Sequence, residues 1–250
     1  MRKILGCIKK AIMDFNMIQD GDVVGVGVSG GKDSVALLYG LKLFQNFSPV
    51  KYELKALTLT LGFDNFDLTP IEKMCDEINI EYIIKPTEIG NLVFEERREK
   101  NPCSLCSRFK RAALHNLCKD NSINKLALGH HSDDAIETLF LSMFYEGRIH
   151  TFNPVTYLSR KDLTMIRPMI YADEREIVRA IKRHGLPEVK SPCPADGNTK
   201  REYIKQSLMK LYKDIPYSKQ NLLNALKNEK QLNIWKIKEE EFIESKKELY

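Results

Sequence analysis

No apolar run in this 250-residue chain is long enough to cross a bilayer. Runs such as Leu126–Gly129 and Leu139–Phe144 fall far short of the roughly 20 residues that a spanning helix needs. The amino terminus, MRKILGCIKK, lacks the apolar region and cleavage site of a secretory signal, so the expectation is a cytoplasmic protein with no membrane partner. Without such a signal, six cysteines do not make a disulfide scaffold. They point instead to reduced thiols kept for metal, cluster or redox work. Charge of one sign is also scarce in excess: 39 Lys and Arg face 34 Asp and Glu, a net +5 that suits a polyanionic partner but is ordinary for a soluble protein. There is no internal repeat and no low-complexity linker, which leaves one large domain or a domain with a small appendage.

The chain does show alternation. Strand-like runs fall at Asp22–Val28, Glu53–Leu61, Glu81–Lys85, Lys125–Leu128 and Met165–Pro168. Helical patterns separate them. Ser34–Phe44 spaces Leu37, Leu38, Leu41 and Phe44 on one side, and Thr69 reads as an N-cap, with Pro70 and Glu72 opening a helix to Glu77. Ser107–Lys119 and Asp133–Phe144 follow, then Asp173–His184, stopped by Gly185 and Pro187. This order predicts an α/β fold, a doubly wound parallel sheet with ligands at the carboxyl ends of its strands. Beyond Asn198 the chain reads as helical, and we expect one domain over residues 1–215 and a helical C-terminal extension over 216–250. Leu223, Leu226, Leu232 and Trp235 in that tail suit a packed terminal helix or a partner helix in a homodimer.

Two further absences sharpen the stretch GVGVSGGKDS, Gly25 to Ser34. A dinucleotide fold needs an acid at the end of the second strand, and here that strand ends TLTLG. A Walker loop needs a glycine where Val26 stands and Ser or Thr where Asp33 stands. Neither motif is present. What remains is Ser29-Gly30-Gly31-Lys32-Asp33-Ser34, whose glycines let successive backbone N–H groups face one phosphate at a helix start. Lys32 and the serines add donors. Asp33 beside phosphates calls for a cation such as Mg²⁺ between them, unless it caps the helix.

This hexapeptide resembles the pyrophosphate loop (PP-loop) of the N-type ATP pyrophosphatases, the adenine nucleotide alpha hydrolase-like fold. The resemblance implies ATP cleavage between the α and β phosphates, with adenylation of a substrate oxygen. It also implies that Thr58 lies beside the adenosine, although a strand threonine is as often structural. Gly129-His130-His131-Ser132-Asp133-Asp134-Ala135-Ile136-Glu137-Thr138 is similar to the G-H-x-x-D-D-x-x-E-T segment of the tRNA-modifying members. Adjacent carboxylates opening a helix at a strand end suit Mg²⁺ or the orientation of a reacting group. Asp133 alone also reads as a plain N-cap, and His130 with His131 as structural.

The cysteines discriminate among relatives. Cys103 and Cys106 form a C-x-x-C, which fits half a zinc site, a dithiol or a cluster clamp. His115 and Cys118 would lie roughly 13 and 18 Å further along a helix, too far to share a metal with Cys106. Cys7, Cys75 and Cys118 read as structural. Cys193, between Pro192 and Pro194, completes a trio that is short for tetrahedral zinc but enough for a cubane cluster with one iron unligated by protein. At this point the chain resembles the 2-thiocytidine tRNA-thiolation family, TtcA, and its 2-thiouridine relative TtuA, through SGGKDS, P-C-x-x-C, the GHHSDD segment, IRPM and SPC. That resemblance implies a [4Fe–4S] cluster on Cys103, Cys106 and Cys193 carrying the transferred sulfide, a catalytic role for Lys110, ATP and Mg²⁺ as cofactors, and tRNA as partner. A sulfur donor, either a cysteine desulfurase or inorganic sulfide, is implied as well. Arg108, Lys110, Arg111, Lys200 and Arg201 could meet RNA phosphates or simply form a solvated surface. Three alternatives stay open: lysidine-type ligation, thiolation through a Cys persulfide, and a nucleotide-binding regulator without turnover. The zinc-ribbon cysteine pairs of the 2-thiouridine branch are absent, which favours a thiocytidine product.

Overall fold

The computed structural model describes residues 1–63, 66–96, 102–190, 192–193 and 200–228. In chain order the elements are α1 (Arg2–Asp14), β1 (Val23–Gly27), α2 (Lys32–Gln45), β2 (Glu53–Leu59), α3 (Thr69–Glu77), β3 (Glu81–Lys85) and a short α4 (Ile89–Asn91) running into a π turn at Leu92–Glu96. Then come α5 (Pro102–Asp120), β4 (Lys125–Ala127), α6 (Ser132–Glu146), β5 (Val155–Leu158), β6 (Leu163–Ile166), α7 (Glu174–His184), α8 (Lys200–Asp214) and α9 (Ser218–Lys227).

The strands form one sheet in the order β3-β2-β1-β4-β6-β5, parallel except for β5, which pairs antiparallel with β6. The expected doubly wound sheet is therefore present, with an added edge strand. Val155–Leu158 is four residues, Tyr157 exposed and the others half-buried, joined to β6 by a tight turn and too short for alternation to register. β1 is apolar and buried because helices cover both faces of the sheet, leaving no polar side to alternate. The chain winds from β1 outward to β2 and β3, then returns to β4 on the opposite side of β1. That reversal opens a crevice at the carboxyl ends of β1 and β4.

The helix at Arg2–Asp14 buries Ile4, Ile8, Ala11 and Ile12 against the body. Gly40 of α2 permits that approach, since a Cβ there would stand 2.6 Å from Ile8 Cδ1. The start of α3 differs from the sequence reading. Thr69 is already inside the helix, and its N–H is capped by Asp67 Oδ1 at 3.0 Å, because the carboxylate two residues back reaches the orphan donor better than Thr69 can reach its own turn. α5 begins at Pro102 rather than Ser107, the proline sitting where no N–H bond is needed, so both Cys103 and Cys106 lie on helix.

The chain divides into two compact units, Met1–Leu208 and Met209–Tyr250. Within the second, Lys219 Nζ lies 5.9 Å from the centre of the Tyr212 ring. Leu232, Trp235, Pro194 and Asn198, all named from the sequence, lie outside the described residues. Among the described residues no helix is long and apolar enough to cross a membrane.

Candidate active site

The pyrophosphate-type loop leaves β1 and turns into α2. Gly30 sits at φ +86°, a conformation that costs a side-chain residue dearly. Above it, Val189 N donates to Gly30 O at 2.9 Å, and a Cβ on Gly30 would stand 3.1 Å from Val189 Cβ. Ser34 is buried and closes the loop internally, accepting from Ser29 N at 3.1 Å and donating to Gly31 O at 2.9 Å. Thr58 is 1% exposed, with its hydroxyl donating to Val28 O at 2.6 Å and accepting from Tyr82 OH at 2.8 Å. In this position Thr58 ties the loop to β2.

Asp33 is not a helix cap. One carboxylate oxygen meets Lys32 Nζ at 2.9 Å, and the other, Oδ1, is buried without a hydrogen-bond partner. Lys32 also reaches Glu174 Oε1 at 3.1 Å, and Lys205 meets that same oxygen at 2.8 Å. Burial lowers the Lys32 pKa, but Asp33 and Glu174 outweigh it and hold the ammonium above its ordinary value.

Gly129 brings the end of β4 against this loop: a Cβ there would stand 3.0 Å from Asp33 C and Ser34 N. Only glycine allows the two segments to touch. Next to it, His131 is 4% exposed and faces three carboxylates, Asp33 Oδ1 at 3.6 Å, Asp133 Oδ2 at 3.6 Å and Asp134 Oδ2 at 3.4 Å. Burial opposes its protonation, yet the carboxylates win and raise its pKa. Asp134 Oδ2 accepts from His131 N at 2.9 Å and Asp133 Oδ2 from Glu174 N at 2.9 Å, so Asp133 steadies the start of α7 rather than capping its own helix. His130 behaves oppositely. Burial drives its pKa down to about 4, and its ring packs on Phe152 with 4.9 Å between centroids.

The cysteine trio lies on the other side of the loop. Cys106 is buried among Ile89, Val93, Leu105 and Phe109, Cys103 is exposed, and Cys193 is half-buried. Burial raises the Cys106 thiol, Lys110 opposes that, and the charges of Cys193 and Cys103 reinforce it. Cys106 thus feels both Cys103, three residues before it, and Cys193, remote in sequence. A cavity of about 540 Å³ opens beside the loop, lined by Ser29, Gly31, Leu59, Phe66, Lys110 and Pro192 among others, the last adjacent in the chain to Cys193. Cys75 and Cys118 are fully buried, their pKa values pushed up to about 11 and about 12 by burial, as structural thiols should be. Among the described residues, no three His, Cys, Asp or Glu side chains are gathered to grip a single metal ion. Neither expected group needs that: a cubane is larger than an ion, and Mg²⁺ takes one or two carboxylates plus substrate phosphates.

A glycine-cradled anion site and a carboxylate cluster at the crevice of a parallel sheet agree with the family comparison, in which the PP-loop domain matches residues 4–212. The chain belongs to the PP-loop family. Within that family it is 38% identical over 230 residues to the tRNA-cytidine(32) 2-sulfurtransferase of Geobacter sulfurreducens, covering 91% of this chain and 90% of the relative. The protein of the same name from Geobacter metallireducens is 37% identical with the same coverage. In fold, this PP-loop chain superposes with a TM-score of 0.76 on the U34-tRNA thiolase NcsA from Methanococcus maripaludis with its [4Fe-4S] cluster, at 23% identity over 95% of this chain and 80% of that one.

Several groups at the PP-loop site were not singled out from sequence: the carboxylate contacts of His131, the Lys32–Glu174–Lys205 chain, and the pairing of buried Glu137 with Arg201 at 3.1 Å. His131, Lys32 and Glu174 share a signal, a position just before or in the first turn of a helix, whereas Glu137 and Lys205 sit further along theirs. Arg201, read as an RNA contact or solvated surface, spends its guanidinium on Glu137 and Thr138, while Lys200 lies 4.4 Å from the Tyr145 ring centre.

Proposed function

We propose that this protein is an ATP-dependent tRNA sulfurtransferase that replaces the C2 oxygen of a cytidine with sulfur, at position 32 as in the names of its relatives. The observation that carries the reading is the single cavity lined by Ser29 and Gly31 of the loop, by Lys110 beside Cys106, and by Pro192 next to Cys193. It supports a reaction space that runs from the loop toward the chain neighbours of Cys106 and Cys193.

In this reading the loop N–H groups, Lys32, Ser29 and Ser34 hold the departing pyrophosphate. The orphaned Asp33 Oδ1 fits a missing cation, and Asp33 with Asp133 or Asp134 would hold Mg²⁺ against the phosphates. The cytosine O2 attacks the α phosphorus, and the α–β bridging bond breaks as pyrophosphate leaves. Hydrosulfide then adds at C2, a proton is released, and the C2–O bond breaks to expel AMP. One oxygen leaves with AMP, one sulfur enters at the same oxidation level, and no electron changes hands. Cys103, Cys106 and Cys193 fit a [4Fe–4S] cluster, which when bound supplies an iron free of protein ligands where sulfide is presented. Lys110, near both the Cys106 thiol and the cavity, offsets negative charge on the incoming sulfur and the leaving phosphate. Sulfide comes from a cysteine desulfurase or as inorganic sulfide, the enzyme works in the cytoplasm, and the tail beyond residue 215 offers a helix for a second copy.

The test is iron and acid-labile sulfide content of anaerobically purified protein beside Cys193→Ala, with 2-thiocytidine measured in tRNA treated with each. About four irons per chain, the count of one cubane, together with thiolation that the variant loses, is the expected result. Thiolation by an iron-free preparation would remove the cluster, and ATP cleavage without sulfur incorporation would remove the sulfurtransferase reading.

A further inference from the structure

Arg167 directly follows β6, at the carboxyl edge of the sheet where the loop and the Gly129 segment also lie. It is 7% exposed. Its Nη1 donates to Asn153 O at 2.5 Å and to Thr156 Oγ1 at 3.5 Å, both neutral acceptors, and its guanidinium carbon lies 4.8 Å from the Phe152 ring centre. Nε is buried with no partner, and among the described residues no carboxylate pairs with the guanidinium, whose hydrogen bonds run from Nη1 alone. A buried cation without a counter-ion is costly, and proteins keep one where a ligand brings the missing charge.

The free edge has a specific shape. With Nη1 spent on the backbone, Nε and Nη2 remain as two parallel donors, the fork that grips phosphate or carboxylate oxygens bidentately. Burial depresses the Arg167 pKa to about 10, and the positive charge of Arg111, exposed on α5, adds to the effect. The Phe152 ring also packs on His130, whose Nδ1 is likewise buried and unpartnered. Two arginines and a neutral histidine, with no carboxylate bonded to the guanidinium, describe a receptor for an anion.

We propose that Arg167, assisted by Arg111, receives a backbone phosphate of the RNA next to the target nucleotide and so positions that nucleotide over the crevice. The assignment rests on the tRNA sulfurtransferase reading above. Nucleotide phosphates belong to the loop after β1, whereas Arg167 stands after β6, beyond the intervening β4, which favours a second phosphate source. Anticodon-loop nucleotides unstack at small cost, and a phosphate clamp at the sheet edge holds the strand while the base enters. Arg167 is thus a positioning residue. A purely structural role, bracing the β5–β6 turn through Asn153 O, would use one nitrogen and leave RNA binding untouched.

The experiment measures binding of the full-length protein to an anticodon stem-loop containing the target cytidine across a salt series, with ATP binding in parallel. Arg167→Gln is expected to weaken RNA binding tenfold or more and to reduce the magnitude of the slope of log K against log salt by about 0.7 to 1, leaving ATP affinity unchanged. Arg167→Lys should retain most of the slope yet lose affinity, because a point charge cannot fork. Should the Gln variant not fold, wild-type protein with single methylphosphonate linkages around the cytidine gives the same answer. One linkage should cost about as much as Arg167→Gln, and that loss should be smaller, though still present, in Arg167→Lys protein, whose point charge keeps only part of the contact. Unchanged binding and slope in the variants, or no sensitive linkage, overturns the assignment. Wild-type protein that thiolates tRNA while Arg167→Gln binds normally refutes only this inference; wild-type protein that binds no tRNA refutes both readings.

Discussion

Replacing Gly129 by alanine tests whether the crevice is built by contact between two backbone segments. The added methyl would lie 3.0 Å from Asp33 C, 3.0 Å from Ser34 N and 3.1 Å from Asp33 O, all main-chain atoms of the first turn of α2. Backbone cannot rotate away as a side chain can, so the β4 end or the loop must shift. Overpacking of this kind costs about 1 to 3 kcal/mol, and a body of this size loses roughly 2 to 4 °C in Tm per kcal/mol. The expected fall is therefore roughly 2 to 12 °C by calorimetry. Function should suffer more than stability, since a displacement near 1 Å at reacting groups costs on the order of a hundredfold in rate. Gly6→Ala is the control. Its methyl meets nothing within 4 Å in α1, and alanine in a helix interior gains about 0.5 to 1 kcal/mol over glycine. A Gly129→Ala protein with the Tm, ATP affinity and thiolation rate of wild type would refute the claim that this contact shapes the site.

The two adjacent histidines should titrate in opposite directions. By NMR, His130 is expected to stay neutral down to about pH 4, while His131 takes up its proton above the ordinary 6.5. For His131 the folded pKa lies above the unfolded one, so its contribution to stability is complete below pH 6.5 and is lost as pH rises through the folded value. His131→Asn should accordingly flatten the stability profile just above pH 6.5, and an unaltered profile would contradict the three-carboxylate contact. Arg201→Gln leaves the carboxylate of Glu137 buried and unpaired; allowing for the 43% exposure of Arg201, the loss should be about 2 kcal/mol at neutral pH, recovered on acidification as Glu137 takes a proton. Urea unfolding at two pH values checks it. Thr58→Val removes the donor to Val28 O and strands Tyr82 OH, an expected loss of about 1 to 3 kcal/mol; ATP affinity that falls without any loss of stability would instead place Thr58 at the nucleotide.

Local patterns alone determined much of this molecule. The alternation of strand and helix, the positive φ at the second loop residue and the C-caps at Gly147 and Gly185 follow from residues a few positions apart, because helix periodicity, glycine freedom and capping are short-range properties. The SGGKDS loop, the paired aspartates and the three unusual cysteines were visible for the same reason: each motif is contiguous, and its chemistry resides in residue types. What tertiary structure decided was which of these meet. Cys193, remote in sequence, comes within electrostatic reach of Cys106, and Val189, four residues before it, hydrogen bonds to Gly30 of the loop. His131 became a charged hub, and Asp133 an anchor for α7, through the juxtaposition of β1 and β4 that the winding reversal creates. Arg167, present in the sequence only as the second residue of IRPM, acquired a specific role through burial without a counter-ion among the described residues. Burial and pairing are sums over neighbours distant in the chain, and no window of sequence contains them.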